Sequence, residues 1–223
     1  MTQIILDTTL LRVAATCVST NKTRDYLHGV YCVPAPDPET GFGVIMVATD
    51  GNRLSLVYDE TGLIDAGRIL ATDWNDKALK ATSRTGPRWL HANGLQRGKT
   101  AVGNIMQTIV PDSDTPTVGV VQINEIDGEF PAFDRVLPGK VKGETAVYAG
   151  NFFNAAYLDS IRKAYGLITG NNDGGFAVAQ PEAGSPAWVW RDETPHVLFV
   201  VTPMRVDAGH SGPDFIDQAL AVA

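Results

Sequence analysis

The sequence predicts an α+β fold assembled from one repeated unit: a strand, a helix, then several strands. Three observations predict it. Short apolar runs of strand length are bounded by Gly, Pro and Asp clusters, and single helices between them carry their apolar residues on one face. The alternation recurs three times along 223 residues, at a spacing of about 60–70 residues that exceeds the usual solenoid periods.

The first unit opens with an apolar strand at residues 3–6, and Asp7 or Thr8 is placed to cap a helix. Leu10, Val13, Ala14 and Cys17 follow at i, i+3, i+4 and i+7, one helical face. Strand-like runs follow at 26–33, 44–49 and 53–58. The Pro/Gly/Asp-rich stretch 34–43 reads as a hairpin loop and Asp50-Gly51 as a tight turn. The second unit opens at 68–71, with Thr72 or Asp73 as the next cap and Trp74, Ala78 and Ala81 as an inward helical face. Strand-like stretches at 89–92, 108–110 and 118–123 lead into D-G-E-F-P-A-F-D-R-V-L-P at 127–138. The third unit opens at 145–148 and caps at Asn151. Its helix, at about 152–165, aligns Phe153, Tyr157, Ile161 and Ala164, and strands at 176–179, 187–191 and 197–202 complete it. The tail after Val206, through His210-Ser211-Gly212-Pro213, is expected to be loosely held. An ordinary α+β enzyme would show the same alternation, so function has to be read from other features.

Composition is that of a soluble globular chain, 44% hydrophobic and 19% charged. No run approaches the roughly 18–20 apolar residues that span a bilayer, and the start lacks a basic stretch followed by an apolar one. Cys17 falls in a predicted helix and Cys32 in a predicted strand, which reads as buried free thiols in a cytoplasmic protein. The net charge of −7 means that any grip on phosphates needs the cations sorted onto one face.

Reactive chemistry is missing from the sequence. His28, His91, His196 and His210 lie far apart, with no metal-ligand spacing, and no G-x-S-x-G, P-loop or G-x-G-x-x-G occurs. Asp112-Ser113-Asp114 and Asn171-Asn172-Asp173-Gly174-Gly175 lack a calcium-loop ligand ladder and read as turns. Glu125, Asp127 and Glu129 alternate, which on a strand reads as a solvated edge rather than an acid/base pair. The expectation is a protein that is not an enzyme, with no cofactor and no metal.

Four segments carry a more specific signal: R-D-Y-L-H-G at 24–29, A-T-D-G-N-R-L at 48–54, the 127–138 segment and T-P-M-R-V at 202–206. In order and content they resemble the bacterial replicative sliding clamp, the β subunit of DNA polymerase III. That family is built from strand–helix–strand half-domains, two to a domain and three domains to a subunit, with helices lining a central channel and antiparallel sheets outside. The chain resembles a shortened form. Residues 1–138 match the middle domain, 144–206 match the last half-domain, and 207–223 form a tail. The run G-N-F-F-N-A-A-Y-L-D at 150–159 resembles the final half of the third domain.

The resemblance implies a groove for peptide tails of polymerase or loader proteins. Its lining would be Leu27, then Thr49, Gly51, Asn52, Arg53 and Leu54, then Pro131, Arg135 and Val136, and finally Val200, Val201, Thr202, Pro203, Met204 and Arg205. Leu, Val, Pro and Met suit an adaptable apolar concavity, with Arg53, Arg135 and Arg205 at its rim. Asn52 stands where the family often has His, and Thr202 where it often has an apolar residue, so the groove is more polar. The resemblance also implies a DNA-facing side carrying Arg12, Lys22 and Arg24, then Lys77, Lys80 and Arg84 at i, i+3 and i+7, then Arg162 and Lys163. These are eight of the 18 Lys and Arg, diluted by Asp73, Asp76 and Asp159, and a solvated helix face accounts for them as well. Double-stranded DNA would be contacted without sequence specificity.

The implied function is a clamp-like processivity and tethering factor in DNA replication. The alternative is a clamp-like interaction protein that competes for the same peptides without encircling DNA. Self-association is expected. Rings of the family hold twelve half-domains, so four chains of three would match, and a dimer pairing two odd halves is the other arrangement.

Overall fold

The structure, a computed structural model, describes residues 3–21, 23–80, 86–109, 114–137, 152–180 and 184–204. Strand β1 (Gln3–Asp7) runs directly into α1 (Thr8–Ala15), and the Asp7 carboxylate caps the helix by accepting from the Thr9 and Leu10 amides. Strands β2 (Val30–Pro34), β3 (Val44–Thr49) and β4 (Arg53–Asp59) complete the first unit. The second holds β5 (Arg68–Ala71), β6 (Trp89–Asn93), β7 (Thr100–Met106) and β8 (Gly119–Ile126). The third holds α2 (Ala155–Thr169), β9 (Ala177–Ala179), β10 (Ala187–Trp190) and β11 (Val197–Val201).

Among the described residues eleven strands join one sheet in the order β1-β6-β7-β8-β5-β2-β3-β4-β11-β10-β9, antiparallel at every pairing. The first two units exchange opening strands: β1 pairs with β6, and β5 pairs with β2. The third unit joins the first by a strand pair, β11 on β4, with Val200 opposite Leu54 and Val201 opposite Arg53.

The alternation of β3, β4 and β11 sends side chains into two apolar layers. On one side α1 and α2 lie next to each other and close the main core over residues such as Met46, Val57, Phe199 and Val201. Ser55 is fully buried there and donates to the Ala14 carbonyl at 2.7 Å, tying β4 to α1. Tyr165 packs edge-on against Phe199 with centroids 5.4 Å apart. On the other side Val47, Leu54 and Val200 form a second cluster, covered by Phe130, Phe133 and Leu137.

Several sequence expectations need correction. Residues 26–33 are not one strand. Leu27 sits in a 3-10 turn, Asp25–Leu27, and β2 starts only at Val30. A Cβ at Gly29 would come within 2.7 Å of the Leu70 carbonyl, so the chain turns there against β5. The helix expected around Trp74 and Ala78 is a 3-10 turn at Lys77–Leu79. The Asp73 and Asp76 carboxylates accept from the Asn75 and Ala78 amides, and these local side-chain bonds displace helical ones. Ala81 lies outside the described residues. Strand β7 was not predicted, and no strand forms at Thr108, whose carbonyl meets the His91 ring at 2.9 Å. Helix α2 is capped by Asn154 rather than Asn151 and ends at Gly170, in the left-handed conformation with φ 71°. The strand at 145–148 and the tail lie outside the described residues. Both cysteines are buried and unpaired.

Candidate functional site

The turn between β3 and β4 is organised by its own side chains. The Asp50 carboxylate accepts from the Asn52 and Arg53 amides at 2.9 and 3.1 Å and from Arg53 Nε at 3.0 Å. Thr49 Oγ1 donates to the Arg53 carbonyl at 2.7 Å. Gly51 takes φ 95°, open to glycine without strain. The Arg24 guanidinium lies 3.2 Å from the point where a Gly51 side chain would begin. Arg24, expected on the DNA side, is therefore beside this turn.

The last strand reaches the same turn. The Thr202 amide donates to the Asn52 carbonyl at 2.9 Å, one step beyond the Val201–Arg53 pair. Three expected groove segments thus meet at one end of the β4–β11 pair. Leu54 and Val200 face each other on the layer opposite the helices. Met204 is 53% exposed, and its amide donates to the Phe152 carbonyl at 2.7 Å. Pro203 is half-buried, and Gly51, Asn52 and Thr202 are exposed.

The 127–137 segment crosses the apolar layer as a strap. Phe130 stacks on Tyr31 with centroids 5.1 Å apart, and Phe133 leans on the same ring at 6.4 Å. Leu54 and Val200 are left only 4% and 3% exposed under this strap. Pro131 and Arg135 remain exposed on it. The surface left to a ligand is the margin of the strap and the turn beside it, since the apolar floor is already covered. Sequence reasoning missed Tyr31, Phe130, Phe133, Leu137 and Trp188. The available signal was the two aromatics spaced three apart in F-P-A-F, which the 3-10 turn Phe133–Val136 brings over the sheet.

Not every expected groove residue points to that layer. Arg53 alternates to the helix side, where it pairs with Asp50, donates to Ser160 and lies 4.8 Å from the Tyr157 ring centroid. It is therefore not a free rim cation. Val201 is fully buried in the main core, and Leu27 is 2% exposed within its turn. The Val136 side chain and Arg205 lie outside the described residues.

The expected basic side is dispersed. Arg162 and Lys163 both pair with Asp159, at 2.8 and 2.7 Å, and Lys163 followed by Arg162 holds that carboxyl below its usual range. Lys77 lies in a 3-10 turn and the Lys80 backbone is extended, so they do not share a helical stripe. Lys22 and Arg84 lie outside the described residues. Arg12 is half-buried, makes no ion pair among the described residues, and its Nε has no hydrogen-bond partner. Burial lowers its pKa from the usual value. It lines a groove of about 840 Å³ with Leu10, Leu167 and His196.

The alternating acids are also not a uniform solvated edge. Glu125 is 5% exposed and accepts from Arg68 Nη1 at 2.7 Å, while Asp127 pairs with Arg97 at the surface, 3.6 Å apart. Among the described residues no three His, Cys, Asp or Glu side chains are grouped to hold a metal, and no helix is long and apolar enough to cross a membrane.

No protein-family model matches the chain, and no curated protein matches it by sequence. Solved structures do. The sliding clamp of Bartonella birtlesii, DNA polymerase III subunit beta bound to griselimycin, is 18% identical with a TM-score of 0.58, covering 92% of this chain and 66% of that one. The Pseudomonas aeruginosa clamp is 17% identical at TM-score 0.57, with the same coverage. The Bacillus subtilis clamp is 14% identical at TM-score 0.57, covering 92% of this chain and 64% of that one. The chain thus spans about 66% of the length of the first of these. With an antiparallel sheet, helices on one side and a match running over nearly its whole length, this chain has the α+β fold of the DNA sliding clamps.

Proposed function

We propose that this chain is a clamp-like tethering factor in DNA replication, working in the cytoplasm, that binds clamp-binding peptides of polymerase or loader proteins. The observation that carries this reading is the meeting of Asn52 and Thr202, with Leu54 and Val200 paired behind them. A peptide would lie along the strap margin, with Pro131, Thr202, Pro203 and Met204 offering apolar contact and Arg24 and Arg135 offering charge. Its anchors would be one or two aliphatic or aromatic side chains, the usual source of most affinity in such a contact. Copies of the chain would associate and hold the captured partner near double-stranded DNA. Tethering raises effective concentration and requires no chemical step by the chain.

Capture on an immobilised short clamp-binding peptide tests the reading. Met204 is 53% exposed, so Met204→Ala leaves the core intact and is expected to weaken capture about tenfold, as loss of one anchor does. Adding Arg135→Ala, which removes an exposed charge from the strap, is expected to weaken capture further. Equal capture by wild type and both variants would put the site elsewhere.

A second reading is favoured by the pairing of Arg162 and Lys163 with one carboxylate and by the net charge of −7. In that reading the chain keeps the peptide site and competes for partners without encircling DNA. Retention on circular but not linearised DNA, with a loader present, supports the ring. Equal loss from both supports the competitor.

A further inference from the structure

The first two units show what the third lacks among the described residues. In each, the first strand after the helical segment has its outer edge covered by the other unit's opening strand: β2 by β5, and β6 by β1. Strand β9 holds the equivalent place in the third unit, followed by β10 and β11 as β2 is followed by β3 and β4. Yet β9 ends the sheet, pairing with β10 and, among the described residues, with no strand on its outer side. An open edge of this kind is a template for another strand.

The core of the third unit is less fully covered than that of the first two. Among the described residues, the third unit supplies 7 of the 29 buried side chains of the main core but 6 of the 11 half-buried apolar ones packed against it. Of these six, Phe176 and Val178 lie at β9, whereas Tyr157 sits beside Arg53 and Leu167 and Ile168 line the groove with Leu10 and Arg12. Phe176 and Val178, left half-covered at an open strand edge, mark a contact surface.

We infer that the outer side of β9 is the contact between two copies of this chain, joined across a two-fold axis so that the edge ending each sheet is covered by the other copy. The first two units already show that such units interlock reciprocally, each covering the other's edge. A second copy brings the same unit, so the contact is self-complementary and closes at two chains. This rests on reading the third unit as a clamp half-domain, and it places self-association on β9 rather than on β8. The competing surface is the outer face of β7 and β8, where Val102 and Val120 are 63% and 59% exposed.

Light scattering on the full chain at micromolar concentration tests the inference. Wild type is expected to show an even multiple of the 23.9 kDa chain mass. Ala177 is exposed on β9, so Ala177→Lys leaves each chain folded, as circular dichroism checks, and is expected to halve the mass. Val120→Lys on β8 is expected to leave β9 pairing intact, with a mass of at least two chains. A monomeric wild type, or an Ala177→Lys variant that stays folded and keeps its full mass, overturns the assignment. Peptide capture is read separately on β4 and β11. A failed capture experiment therefore leaves the mass result standing, and the reverse also holds.

Discussion

Asp7 does two jobs that conflict above mildly acidic pH. As the cap of α1, its Oδ1 accepts from the Thr9 and Leu10 amides at 2.7 and 2.9 Å. Its own amide donates to Asp59 Oδ2 at 2.7 Å, which draws a second carboxylate close. Burial pushes the Asp7 carboxyl up to about 6 from 3.8, with the Asp59 charge adding to the rise and the two helix amides opposing it. A rise of that size disfavours the charged form by about 3 kcal/mol. The native state holds this proton more tightly than the unfolded chain, so stability falls as pH rises between 3.8 and about 6, and the loss is complete above that window. Asp7→Asn keeps a good cap and removes the buried charge. The variant is expected to be more stable than wild type at pH 8 by about 1–3 kcal/mol and to match it near pH 4. Urea unfolding followed by circular dichroism at the two pH values gives both differences. A variant no more stable than wild type at pH 8 would refute the reasoning, because the cap bonds would then outweigh the buried charge.

Two further outcomes follow from burial. Cys17 and Cys32 are fully enclosed, and burial pushes the Cys17 thiol up to about 11 and the Cys32 thiol higher still. Both are expected to react with a thiol reagent at pH 8 at least about a hundredfold more slowly in the native chain than in urea. If DNA is held on the helix side, Arg12→Ala is expected to reduce the slope of log affinity against log salt by about 1. Arg162→Ala should change it less, since Asp159 already engages that charge. Equal slopes for wild type and Arg12→Ala would remove Arg12 from the contact.

Strands were legible where alternation and turn residues agreed. The run at 44–49 and the one at 68–71 are β3 and β5 to the residue. Errors came where polar side chains competed with the backbone. Asp73 and Asp76 turned an expected helix into local loops, and Asn154 captured a helix start assigned to Asn151. The four motif segments were legible as a set, but the direction of each side chain was not. Arg53 reads as a rim residue until its pairing register sends it to Tyr157 and Ser160. The strap was hidden for another reason: the layer beneath Phe130 and Phe133 exists only after β4 and β11 have paired, a contact between residues some 140 positions apart.

The union of β4 with β11 is written in main-chain N–H and C=O groups, which every residue but proline supplies alike. A junction of that kind is nearly indifferent to which side chains occupy it, provided the alternation of inward and outward positions survives. Substitutions can accumulate on both strands while the geometry that gathers the motif segments stays fixed. Such a joint lets an architecture outlive the words that once spelled it, leaving the exposed margin free to acquire a taste for different guests.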